Sequence, residues 1–146
     1  GVNKFLSPNL QAPFGYSGQS QQDWVIMRYA DVLLMRAEAE NELSGATSQV
    51  YADVNQVRAR VGMPALPIGL SKEQMRARIR HERRVELAFE GERYFDLKRW
   101  KIAEQVINGI TDGVVRRKFE HKHYLWPLPQ SEIDKNKGVL VQNPNY

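Results

Sequence analysis

Four valines, Val50, Val54, Val57 and Val61, recur at intervals of four, three and four residues. That spacing keeps them on one side of a 3.6-residue turn and predicts a helix from Thr47 or Ser48 to Val61. Valine is a mediocre helix former because its branched Cβ is stiff against the preceding turn, so the stripe has to be held by packing. A partner lies just upstream. Trp24 to Leu43 also follows a helical pattern, with Asp23 placed to cap its start and Gly45 to stop it. Its apolar residues cover two faces: Val25, Tyr29, Val32 and Leu43 on one, and Ile26, Ala30, Leu33 and Ala37 on the next. Only Arg28, Asp31, Glu38 and Glu42 form a consistently polar stripe. A helix apolar over so much of its girth is expected to sit between neighbours. The linker between the two helices is very short, which forces an antiparallel helical hairpin.

Ser71 opens a third helix, and Gln74, three residues on, completes a capping box with it. The pattern continues through Phe89, with Gly91 as a left-handed terminator. Shorter helical pieces are expected at Tyr94–Trp100 and Ile102–Ile107, and Asn108-Gly109 closes the second. From Thr111 the helical period is lost. Val114–Phe119 and His123–Trp126 read as extended, Pro127 and Pro129 enforce extension around Leu128, and Ser131 is placed to cap one more turn. The fold class expected is therefore mainly all-α, ending in an irregular, partly extended region. Residues 1–22, rich in Gly, Pro, Ser, Asn and Gln, read as a loop-rich lead-in to a helical domain over 23–146.

The chain has 146 residues, 42% of them apolar, enough for one core. It has no cysteine, so disulfides and Cys-based zinc sites are excluded. Its most apolar stretch carries Arg28, Asp31, Arg36, Glu38 and Glu40, which excludes a membrane span there. The chain begins at Gly1 without a recognisable signal peptide, as expected of a mature or trimmed segment, so any membrane anchor would lie outside it. The net charge of +4 is small, and the arginines of the 76–84 run are interleaved with Glu73, Glu82, Glu86, Glu90 and Glu92. Mixed charge of that kind reads as a networked helix face rather than a nucleic-acid surface.

On the third helix Met75, Ile79, Glu82, Glu86 and Phe89 share a face, which sets two glutamates on an apolar stripe. Buried carboxylates need cations. Arg78 is four residues before Glu82, and Arg83, Arg93 and Arg99 are further candidates. The expected outcome is a structural ion-pair network that fixes this helix against Tyr94–Trp100. The alternative is a glycoside-hydrolase pair made of Glu82 and Glu86. Such pairs flank the sugar from opposite sides, whereas these two stand side by side, one turn apart. His121 and His123 would share a face of a strand, but with His81 the only other histidine they do not make a metal site. No nucleotide-binding or nucleophile-elbow motif occurs, and no cofactor is expected. Among the aromatics, Trp24, Trp100 and Trp126 read as core. Phe14 and Tyr16, in a Gly-rich loop, are the candidates for ligand contact.

Four blocks, in order, resemble the SusD/RagB family. They are Arg28-Tyr29-Ala30-Asp31-Val32-Leu33-Leu34-Met35-Arg36-Ala37-Glu38-Ala39; Val54 to Pro64, with Arg58-Ala59-Arg60; Glu82 to Trp100, which reads ERRVELAFEGERYFDLKRW; and Tyr124-Leu125-Trp126-Pro127-Leu128-Pro129-Gln130-Ser131-Glu132-Ile133 followed by Gln142-Asn143-Pro144-Asn145-Tyr146. The sequence departs from the family pattern at Trp126, where an aliphatic residue is usual, and at Asn145, where glycine is. Family members are several hundred residues long, so the resemblance is to a C-terminal portion. It implies a tetratricopeptide-like lipoprotein at the bacterial cell surface, held to the outer membrane through a lipidated N-terminus absent from this chain. Such a protein is no enzyme: it captures oligosaccharides or peptides for a SusC-like TonB-dependent transporter. A helical protein-interaction module is a further alternative.

Overall fold

The structure, a computed structural model, describes Lys4 and residues 25–146. These residues are mainly helical, in the order α1 (Tyr29–Ser44), α2 (Ser48–Ala59), α3 (Lys72–Glu86), α4 (Glu92–Arg99), α5 (Ala103–Ile107), the hairpin strands β1 (Thr111–Asp112) and β2 (Val115–Arg116), a 3-10 turn at His121–Tyr124 and α6 (Gln130–Lys135). They group into two compact units, residues 1–92 and 93–146.

In the first unit α1 packs on both α2 and α3, while α2 and α3 meet only sparsely. The valine stripe supplies Val50, Val54 and Val57 to a core completed by Leu33, Leu34 and Ala37 of α1 and Met75 and Ile79 of α3. Leu66, on the connection between α2 and α3, closes it. Thr47 caps α2 by accepting from the Val50 N–H. Ser71 and Gln74 form the expected capping box of α3. The hairpin linker turns at Gly45, whose φ of 82° suits a residue without a Cβ. Two helix boundaries differ from expectation by more than two residues. α1 begins at Tyr29, because Arg28 is extended (φ −140°, ψ 163°); Asp23, the expected cap, lies outside the described residues. α3 ends at Glu86, and Phe89, expected inside it, has φ 66°. The face of α1 that carries Tyr29, Val32 and Leu43 is not sandwiched among the described residues: Tyr29 and Leu43 are 65% and 82% exposed.

The second unit has a smaller core of Leu97, Ala103 and Phe119, flanked by Tyr94, Ile102, Val106, Ile107 and Tyr124. The hairpin pairs Thr111 with Arg116 and Asp112 with Val115, leaving Gly113 (φ 55°) at the first turn position, where a positive φ is required. His123, expected to open an extended stretch, stands with His121 on the 3-10 turn instead. α6 starts after Pro129, and Ser131 does not cap it. The tail is pinned back: the Gln142 side chain accepts from the Leu128 N–H (2.8 Å) and donates to the Leu128 carbonyl (2.9 Å). No helix among the described residues is long and apolar enough to cross a membrane.

Candidate functional site

The carboxylates of α3 meet guanidinium groups from α1 and α2. Glu82, 8% exposed, accepts from Arg58 Nη1 at 2.8 Å, and Arg58 Nε also donates to the Pro64 carbonyl at 2.8 Å. Glu86, also 8% exposed, accepts on Oε1 from Arg28 Nη1 (2.6 Å) and on both oxygens from Arg60 Nη2 (2.8 and 2.9 Å). The extended backbone at Arg28 lets its side chain grip Glu90 as well, through Nε (2.8 Å) and Nη2 (2.9 Å). Lys4 donates to the carbonyls of Glu86 (2.6 Å) and Ala88 (2.8 Å) and pairs with Glu90. Arg83, buried, holds Asp31 of α1 at 2.8 Å, and Arg36 of α1 clasps the buried Asp53 of α2.

The electrostatics follow from these bonds. The Glu90 hydrogen bond raises the Arg28 guanidinium above its ordinary value, burial opposes it, and Glu86 adds to the rise. At Glu90 burial alone would push the carboxyl up, but the bonds from Arg28 and Lys4 outweigh it and hold the group below the usual range. The Arg36 hydrogen bond likewise holds Asp53 low, against burial and with help from Gln49.

The residues named from the sequence are thus distributed differently. Glu82, Glu86 and Arg83 enter the network. Arg78 is exposed and makes no ion pair among the described residues, so the expected bond to Glu82 is replaced by that from Arg58. Arg93 and Arg99 belong to α4: Arg99 pairs with Asp96 at 2.9 Å, and both guanidiniums lie over the half-buried Trp100, at 6.0 and 4.8 Å from the ring. Phe14 and Tyr16, the candidates for ligand contact, lie outside the described residues. An open cleft of about 430 Å³ does border Glu82 and Glu86, but Lys4, Arg58 and Arg60 line it with them.

The second unit carries an aromatic cluster that includes Trp126, a residue expected in the core. Trp126 is 62% exposed, not buried, because Pro127 and the Gln142 clamp on Leu128 keep its segment extended along the surface. Its ring lies 5.9 Å from that of Tyr94, and the Lys98 ammonium sits 4.7 Å from its centroid. Tyr94 continues to the buried Phe119 (6.5 Å), which meets Tyr124 (5.0 Å) and His123 (5.5 Å) edge to face. Asn108 fixes this arrangement: it accepts from the Phe119 N–H at 2.6 Å and donates to the Phe119 carbonyl at 3.0 Å. Beside the cluster lies an open cleft of about 530 Å³ between Tyr94, Ile107, Ile110 and the residues that follow β2. The signal in the sequence was Trp126 itself, standing where an aliphatic residue is usual.

The description of the SusD family matches residues 1–146. The SusD-like protein P2 of Formosa agariphila is 35% identical over 95% of this chain and 30% of its own length. A crystal structure of a SusD-like protein from Bacteroides fragilis superposes with a TM-score of 0.74 at 35% identity, covering 84% of this chain and 26% of that one. Surface glycan-binding protein A of Bacteroides thetaiotaomicron superposes with a TM-score of 0.67 at 33% identity, covering 84% of this chain and 25% of that one. The chain therefore spans about a third or less of the length of these relatives.

Proposed function

The chain belongs to the SusD family, and from that premise we propose that it is the C-terminal portion of a cell-surface, outer-membrane lipoprotein that binds oligosaccharides without altering them and passes them to a SusC-like TonB-dependent transporter. A relative of similar fold is a surface glycan-binding protein. The observation that favours capture over chemistry is the state of the carboxylates. Both Glu86 oxygens are occupied by guanidinium donors, and Glu82 is held by Arg58. A glycosidase needs one carboxyl free to give a proton to the leaving oxygen and a second facing it across the sugar. Glu82 and Glu86 instead read as architecture, tying α3 to α1 and α2.

The test is affinity electrophoresis of the full-length protein through gels containing a panel of soluble polysaccharides, together with a reducing-end assay on the same polymers. The expected result is retardation in at least one gel with no new reducing ends. Release of reducing ends that a folded Glu86→Gln variant abolishes would reinstate hydrolysis. Retention by peptides and by no glycan would move the ligand to the peptide class. Co-purification of the parent protein with a TonB-dependent transporter from outer-membrane extracts is the expected outcome for the delivery step.

A further inference from the structure

The 530 Å³ cleft of the second unit has a rim that a neutral sugar would not need. Three consecutive cations, Arg116, Arg117 and Lys118, leave β2 and run toward the buried anchor Phe119. Arg117 and Lys118 line the cleft together with Asp112, and the same two cations, with Arg116 and Asn108, line an adjoining depression of about 450 Å³. Counter-charge is scarce. Asp112 is taken by Arg117 at 2.5 Å, and Glu120 is shared between Lys118 and Lys122. Arg116 meets no carboxylate among the described residues. The rim thus carries surplus positive charge, held in place by the two-point clamp of Asn108 on Phe119.

The wall opposite the rim is apolar, with Tyr94, Ile107 and Ile110 facing the same space. An apolar wall suits the CH-rich face of a sugar ring, and the volume lies in the range that holds small ligands. Guanidinium and ammonium groups at the edge suit an anionic substituent on that ring. Single-stranded nucleic acid fits less well. Bases require flat, exposed aromatic platforms, whereas Phe119 is 4% exposed and Ile107 and Ile110 carry no ring.

We propose that this cleft and the depression adjoining it form a subsite for an anionic sugar residue, a uronate or a sulfate ester, in which Arg116, Arg117 and Lys118 receive the charge and Tyr94, Ile107 and Ile110 receive the ring. The inference rests on the glycan-capture reading and narrows its ligand class. Asn108 is a positioning residue here, acting through the Phe119 backbone.

The experiment uses the full-length protein and four probes: polygalacturonate, dextran sulfate, neutral dextran and oligothymidylate. Two double variants remove the same charge, Arg116→Gln with Lys118→Gln at the cleft and Lys135→Gln with Lys137→Gln on and just after α6. The expected result is binding to polygalacturonate or dextran sulfate that weakens about tenfold or more in the cleft variant, as the loss of charge-assisted hydrogen bonds requires, and holds in the α6 variant. Loss on polygalacturonate alone assigns a carboxylate ligand, and loss on dextran sulfate alone a sulfate ester; either supports the subsite. Equal loss in the two variants means unspecific attraction to a basic chain and overturns it. So does tighter binding of oligothymidylate, or binding of neither charged probe. The capture reading is tested separately: retention by a neutral polysaccharide would sustain it while this subsite fails.

Discussion

Arg83 and Asp31 meet inside the 1–92 unit at 2.8 Å, with side-chain exposures of 3% and 10%. A buried pair contributes little net stability against apolar isosteres, but removing the guanidinium leaves a buried carboxylate uncompensated. Arg83→Met is therefore expected to lower unfolding stability by about 3–5 kcal/mol. Adding Asp31→Leu should restore most of that loss. Urea midpoints of the two variants check this, and a double variant no better than the single one would mean that Arg83 acts through other contacts. The sequence made the need for such pairs legible, since Glu82 and Glu86 stand on the stripe with Met75 and Ile79. It did not make the partners legible. Local spacing pointed to Arg78, yet the donors come from Arg28, Arg58 and Arg60, brought in by packing across helices. The Arg58–Arg60 pair at the end of the valine stripe was the clue: that stripe faces α1 and α3, so the cations at its end arrive beside the carboxylates.

Helix ends show how local chemistry and tertiary demand divide the work. The start of α3 is set locally: Ser71 Oγ accepts from the Gln74 N–H at 3.2 Å, and Gln74 Oε1 accepts from the Ser71 N–H at 2.8 Å. Ser71→Ala should cost about 1 kcal/mol. Ser131, similarly placed by sequence near α6, makes no cap, because Pro129 already supplies the turn into that helix. Ser131→Ala is expected to change stability by less than about 0.5 kcal/mol. Thermal unfolding of the pair decides the matter, and equal shifts would refute the distinction. The start of α1 is set by a distant contact. Val25, Ile26 and Met27 continue its apolar pattern, but extending the helix through Arg28 would withdraw that side chain from Glu86 and Glu90. The end of α3 also escapes periodicity: Phe89 repeats the stripe but is 69% exposed, so no packing holds it helical. The aromatic cluster was illegible for a related reason. Apolar composition around Trp126 suggests core, whereas exposure there depends on a clamp on Leu128 from Gln142, fourteen residues further on.

At the scale of the whole molecule, the ion pairs give the fold a definite response to acid. The carboxyl of Asp53 is held low by its bond from Arg36, that of Glu90 by Arg28 and Lys4 against burial, and that of Glu42 by Arg76. Each titrates lower in the folded chain than in the unfolded one, where Asp and Glu ionise near about 3.9 and 4.3. The folded state binds fewer protons across that interval, so stability rises with pH there. The contribution of these pairs is present in full above about pH 5 and is lost as pH falls through 4 toward the folded values. Protonation also removes opposition to the chain's 21 Lys and Arg, so self-repulsion adds to the loss. Urea midpoints should be level between pH 5 and 7 and fall steeply below about 4. Asp53→Asn should lower the midpoint at pH 7 and flatten the acid limb, because the group that titrates has been removed. A decline already under way at pH 6, or an acid limb that Asp53→Asn leaves untouched, would assign the response to other groups and detach the arginine–carboxylate bonds from the stability of the fold.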